Sequence, residues 1–142
     1  MTPKPILSPF VIAVGATDAS KQRAQWFSGF ASNYGPELEF VAPGTGVPVA
    51  HGPTKGDYAL AYGTSAAAPF VSSTVGLYLL QRQRLGIPYT RNRGEFLAQV
   101  RKCLQSAAQN GTAWNSQTGF GLIDVAKVVD PNNPICFPQE NP

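Results

Sequence analysis

The 142-residue chain carries 43% hydrophobic and 13% charged residues, material for one domain with enough apolar side chains to build a core, which excludes a disordered chain. Lys and Arg total 11 against 8 Asp and Glu, a net charge of +3, and no stretch of about 18 apolar residues exists from which to build a membrane-spanning helix. The 14 Gly and 13 Pro promise many turns without reaching the roughly 25–30% that marks a low-complexity chain.

Residues 1–10 read as a leader or a truncated start and lack the apolar run of a signal peptide. Val11-Ile12-Ala13-Val14-Gly15-Ala16 is apolar without alternation, the pattern of a strand covered on both faces in a parallel sheet. Asp18 to Arg23 reads as a solvated turn. Phe40-Val41-Ala42 predicts a second short strand, closed by Pro43-Gly44. Gly44 to Asp57, rich in Gly and Pro and holding the one histidine, His51, predicts a surface loop, and Tyr58 to Tyr62 a strand or a loop approach.

Thr64 to Gln83 predicts a helix with Thr64 as its N-cap. Its apolar positions Phe70, Val71, Val75, Leu77, Tyr78, Leu79 and Leu80 go most of the way round, as in a helix buried on several sides. Gly94 to Ala108 predicts an amphipathic helix with Phe96, Leu97, Val100 and Leu104 on one face, and Ile123 to Val129 a short third one. Residues 131–142 read as an irregular surface tail. Arg82, Arg84, Arg91, Arg93, Arg101 and Lys102 crowd one stretch; with no aromatic-interleaved reader motif beside them, they read as a solvated helical face, and neither nucleic acid nor membrane is an expected partner. Cys103 and Cys136 fit neither a metal site nor a disulfide framework by spacing. A single bridge and two unrelated thiols both remain open.

Chemistry concentrates in Tyr62-Gly63-Thr64-Ser65-Ala66-Ala67-Ala68-Pro69. A serine in the first turn of a buried helix lies where unpaired N–H groups and the positive end of the macrodipole converge, a place that favours developing negative charge. An oxyanion formed by attack of Ser65 Oγ on a carbonyl could be held by the Ser65 N–H itself. Gly63 lets a substrate backbone approach, the alanines keep the neighbouring wall low, and Pro69 withholds the N–H that would bond the Ser65 carbonyl. On helix physics alone, Thr64 and Ser65 read as helix caps rather than as a nucleophile, because capping serines are far commoner.

Gly63-Thr64-Ser65-Ala66-Ala67-Ala68-Pro69 resembles the nucleophile motif of the subtilisin-like serine proteases. Val11 to Asp18, Phe30 to Gly35, Val41-Ala42-Pro43-Gly44 and Gly119-Phe120-Gly121-Leu122-Ile123-Asp124 are similar to that family's landmarks, in its order and at similar spacing. Ala66 and Phe70 stand where many members carry Met and His; neither is a triad position. The resemblance implies an α/β fold with a mostly parallel sheet flanked by helices over residues 11–130, the C-terminal half of the catalytic domain. It also implies a peptide-bond hydrolase working through Asp, His and Ser in that chain order. Ser65 matches the nucleophile, with Gly63, Thr64 and Ser65 forming its loop. The Asp, the His and the oxyanion Asn precede the segment that matches Val11, so none has a counterpart here, and upstream sequence or a separate polypeptide is expected to supply them.

The chain alone is therefore expected to be inactive, and a non-catalytic remnant or peptide-binding module is the alternative. A local triad of Asp57, His51 and Ser65 fits the sequence less well than a plain surface loop. By the same resemblance, Glu37 and Glu39 with the Val11 carbonyl match a low-affinity Ca²⁺ or Na⁺ site of some members, though two solvated acids beside a turn explain the residues better. No other cofactor is expected. The family tendency is extracellular, and Asn110-Gly111-Thr112 forms a glycosylation sequon that matters if the protein enters a eukaryotic secretory route.

Overall fold

The computed structural model describes residues 10–138. Strands β1 (Val14–Thr17) and β2 (Phe40–Pro43) pair in parallel, with Val14 opposite Phe40 and Thr17 opposite Pro43. Leu122 extends this sheet on the far side of β2 through a parallel bridge to Val41. The first strand begins later than the apolar run predicts. The Ala13 carbonyl accepts from both Glu39 and Phe40 N–H groups, so the ladder starts there and Val11 is left exposed. On the other edge of β1, the Ala16 N–H donates to Ser32 Oγ and the Ala16 carbonyl accepts from Ala24, so the edge is closed by loop residues.

The segment read as one loop contains a strand. β3 (Val47–Ala50) pairs antiparallel with β4 (Tyr58–Ala61), Pro48 lying opposite Leu60. A Gly/Pro-rich stretch carries little intrinsic strand signal; the partner strand supplies the ladder, and Pro48 is tolerated because the pair is an isolated two-stranded ribbon.

Helix α1 (Thr64–Arg84) packs across β1 and β2. Its buried residues Ala66, Ala67, Val71, Thr74, Tyr78 and Arg82, spaced by three or four residues from Ala67 onward, form one stripe. The opposite stripe, Phe70, Leu77 and Leu80, stays 43–45% exposed. Apolar residues all round thus meet core on one side only. The N-cap is Gly63, without a side-chain capping bond, so Thr64, predicted as the cap, is instead the first helical residue. Helix α2 (Arg93–Ser106) starts under Asn92, whose side chain accepts from Gly94 and Glu95 N–H groups, and α3 (Val125–Val129) starts under Asp124, which accepts from Ala126 and Lys127.

Two arginines of the basic stretch are buried rather than solvated. Arg82 donates to the Tyr78 hydroxyl and the Pro88 carbonyl, between the rings of Tyr78 and Tyr89, and Arg101 pairs with Glu39. Arg84, Arg91, Arg93 and Lys102 are exposed as expected. The tail has no regular element as far as Pro138 but does not stay on the surface. Cys136 and Phe137 are fully buried, Phe137 stacks at a tilt on Tyr78 with centroids 5.6 Å apart, and Cys136 is bonded to Cys103. The last four residues of the predicted tail lie outside the described residues.

The core gathers Ala16 and Phe40 from the sheet, Val71 and Tyr78 from α1, Leu104 from α2, Val128 from α3 and Phe137 from the tail. Because the disulfide closes a separation of 33 residues, chain-entropy arithmetic gives it about 3–4 kcal/mol. Cys103→Ser or reduction by dithiothreitol is expected to lower the denaturant midpoint by a corresponding amount, measured by urea unfolding followed through tryptophan fluorescence.

Candidate active site

The carboxyl end of the parallel strands is where open α/β sheets bind ligands, and here it is built around two glycines. Pro43 ends β2 and the chain turns at Gly44, whose N–H donates to the Thr17 carbonyl at 3.0 Å and whose carbonyl accepts the Gly63 N–H at 2.8 Å. A Cβ on Gly44 would stand 2.4 Å from Ala16 Cβ and 2.7 Å from the Gly63 carbonyl oxygen. The backbones can touch only because Gly44 has no side chain. The Trp26 indole N–H adds a bond to the Gly44 carbonyl at 3.2 Å. Together these contacts hold the entry to α1 against the ends of β1 and β2.

Gly63 takes φ 135°, a conformation that L side chains rarely adopt, and a Cβ there would lie 3.2 Å from Ser65 Oγ. The next residues go straight into helix, with the Ala66 N–H bonded to the Gly63 carbonyl. Ser65 is therefore in the first turn of a 21-residue helix, and its side chain is exposed. Neither Thr64 nor Ser65 makes the capping bond that would have explained a hydroxyl at this place. Pro69 sits inside α1, four residues on, and cannot donate to the Ser65 carbonyl. The hydroxyl faces solvent beside helix N–H groups that lack intrahelical partners.

Ser65 opens onto a groove of about 310 Å³ lined by Val47 and Val49 of β3, Ala61 of β4, and Ala66, Pro69, Phe70 and Ser73 of α1. No imidazole or carboxylate is among the lining residues. His51 and Asp57 stand at the other end of the β3–β4 ribbon, both exposed; the His51 N–H donates to the Asp57 carbonyl and closes the turn. They brace a hairpin tip and do not join Ser65 in its groove.

The Glu39 and Val11 oxygens assigned to a cation have another partner. Arg101 donates from Nε to Glu39 Oε2 at 2.8 Å and from Nη2 to the Val11 carbonyl at 2.6 Å. Glu37 lies nearby in sequence with its Oε2 buried and without a hydrogen-bond partner. Among the described residues, no group of three or more His, Cys, Asp or Glu is placed to hold a metal ion. In the sequon, the Asn110 amide nitrogen donates to Thr118 Oγ1 and the Gly119 carbonyl, both at 3.3 Å, so the atom a glycan would take is already engaged. Reading of the sequence missed Trp26 and Gly44 as parts of this site. The Pro43-Gly44 pair was visible as a turn, but only the fold brings it against Gly63.

Residues 3–121 match the sequence profile of Peptidase_S8, the subtilase family. The chain belongs to the subtilase family of serine proteases. It is 39% identical over 83 residues to subtilisin DY of Bacillus licheniformis, a match covering 58% of this chain and 28% of that protein. It is 35% identical over 126 residues to the extracellular basic protease of Dichelobacter nodosus, covering 84% of this chain and 19% of that one. The crystal structure of MycP1 from Mycobacterium smegmatis superposes with a TM-score of 0.62 at 25% identity, over 93% of this chain and 32% of that one. The chain thus spans less than a third of the length of the curated relatives it matches.

Gly44→Ala is expected to cost about 1–3 kcal/mol, because the added methyl meets backbone and a packed Ala rather than a flexible side chain. Comparison of the urea midpoints of the variant and the parent checks it; an unchanged midpoint would show that the turn can open without loss.

Proposed function

We propose that this chain is the nucleophile-bearing part of a subtilisin-like serine endopeptidase. The observation that carries the reading is Ser65 itself, an exposed hydroxyl with no capping bond, in the first turn of a long helix and at the head of a groove. In the proposed reaction Ser65 Oγ attacks the carbonyl carbon of a peptide bond, and the oxygen that becomes negative is met by the Ser65 N–H at the positive end of α1. The Oγ proton needs an acceptor within hydrogen-bond reach, a contribution of about 10²–10⁴-fold. The groove offers none.

The general base, the carboxylate that orients it and the second oxyanion donor are accordingly assigned to upstream sequence or to a separate polypeptide, and the substrate to an extended polypeptide chain. The exposed Phe70, Leu77 and Leu80 stripe of α1 supports this division. An apolar face that continues from the Ser65 groove is surface that a further segment would cover. An extracellular or otherwise oxidising location is proposed from the Cys103–Cys136 bond and from the description of the Dichelobacter relative as extracellular. No helix among the described residues is long and apolar enough to cross a membrane.

A fluorophosphonate probe tests the nucleophile. The chain alone is expected to remain unlabelled, and a longer form that carries Asp and His segments upstream to be labelled at Ser65, with Ser65→Ala abolishing the signal. Equal silence in the longer form would leave the remnant reading standing. Labelling of the isolated chain that disappears in His51→Ala would instead restore the local triad. The exposed stripe makes a separate forecast: the chain on its own should associate, and Leu77→Gln with Leu80→Gln should shift its sedimentation toward monomer.

A further inference from the structure

The family resemblance places a weak Ca²⁺ or Na⁺ site at Glu37, Glu39 and the Val11 carbonyl, and the residues present do not fit one. Calcium takes about six to eight oxygens at 2.3–2.6 Å. Here Glu39 and Arg101 have side chains only 6% and 8% exposed, and the guanidinium lies across the oxygens themselves. Its Nε donates to Glu39 Oε2 at 2.8 Å, while Nη2 donates to Glu39 Oε1 at 3.4 Å and to the Val11 carbonyl at 2.6 Å. A metal ion on these atoms would occupy the space of the guanidinium nitrogens and face their positive charge. The orphan oxygen of Glu37 is one ligand, far short of a coordination shell.

We infer that Arg101 is the cation of this site, a guanidinium built into α2 that does the work of an exchangeable metal ion. A buried carboxylate needs a compensating charge and partners for its lone pairs. A planar fork of N–H donors satisfies both needs and, unlike calcium, cannot be chelated or diluted away. It also ties two separate parts of the chain to the helix that carries it. Glu39 leads into β2, Val11 precedes β1, and Arg101 lies in the middle of α2, 62 residues beyond Glu39. The backbone of Glu39 is itself engaged, its carbonyl accepting the Phe120 N–H at 2.7 Å. The ion pair thereby locks the helix to the sheet at the point where the Gly119–Leu122 segment joins.

The inference stands apart from the proposed peptidase activity and is tested on the chain without it. Trp114, whose indole N–H donates to the Leu38 carbonyl between the two glutamates, is placed to sensitise the luminescence of Tb³⁺ bound there. Titration with Tb³⁺ is expected to give no saturable signal that calcium displaces, and the melting temperature is expected to be the same in EDTA and in millimolar calcium. Arg101→Gln is expected to melt several degrees lower; should it fail to fold, Arg101→Lys, which keeps the charge but loses the fork, supplies the comparison. Saturable Tb³⁺ binding reversed by calcium, a parent protein destabilised by EDTA, or a substituted protein as stable as the parent would each overturn the assignment.

Discussion

The candidate site depends on a contact between two backbones. Gly63 reaches Gly44 closely enough for an N–H to carbonyl bond of 2.8 Å, and there is no room between Gly44 and its neighbours for a single methyl group. That approach ties the start of α1 to the ends of β1 and β2, so the orientation of Ser65 follows from the sheet rather than from a mobile loop. Positioning by main chain is stiffer than positioning by a side chain, which has rotamers to choose from. Gly63 then supplies the second requirement, a turn with positive φ that leaves the space beside Oγ open.

Around this point the molecule is finished on one side and open on the other. Small residues, Ala66 and Ala67, let α1 lie close to the sheet, and Val71 and Tyr78 continue the contact into a core that includes the tail. On the far side Phe70 joins the groove, and Leu77 and Leu80 extend the apolar surface along the same helix. Marginally stable folds do not usually leave such a stripe in water, because each half-exposed large side chain forgoes part of its transfer free energy. The exposed face of α1 is the surface that the proposed further segment would cover.

Much of the fold was legible in order because its elements are locally encoded. The unalternating Val11 to Ala16 run announced a covered strand, and the helical segments were found within a residue or two of their observed ends. What stayed hidden was set by distant partners. β3 exists because Tyr58–Ala61 lies beside it, and Arg101 is buried because Glu39 arrives from 62 residues away. The exposed stripe on α1 was misread for the opposite reason: apolar composition reports a demand for cover and cannot report whether cover is supplied. Hydroxyl residues usually cap helices, which points to Thr64, whereas a glycine of unusual φ performs the entry. Ser65 stands out in the sequence by its neighbours, whereas its exposure and its groove between the hairpin and α1 belong to the fold.

The disulfide has a bearing on how the protein is made. Phe137 and Cys136 fill space beneath Tyr78 and α2, yet both leave the ribosome long after the helices they support. Until those two residues emerge, the middle of α1 and the inner face of α2 lack their final packing, and the covalent lock then waits on an oxidant to join Cys136 to Cys103.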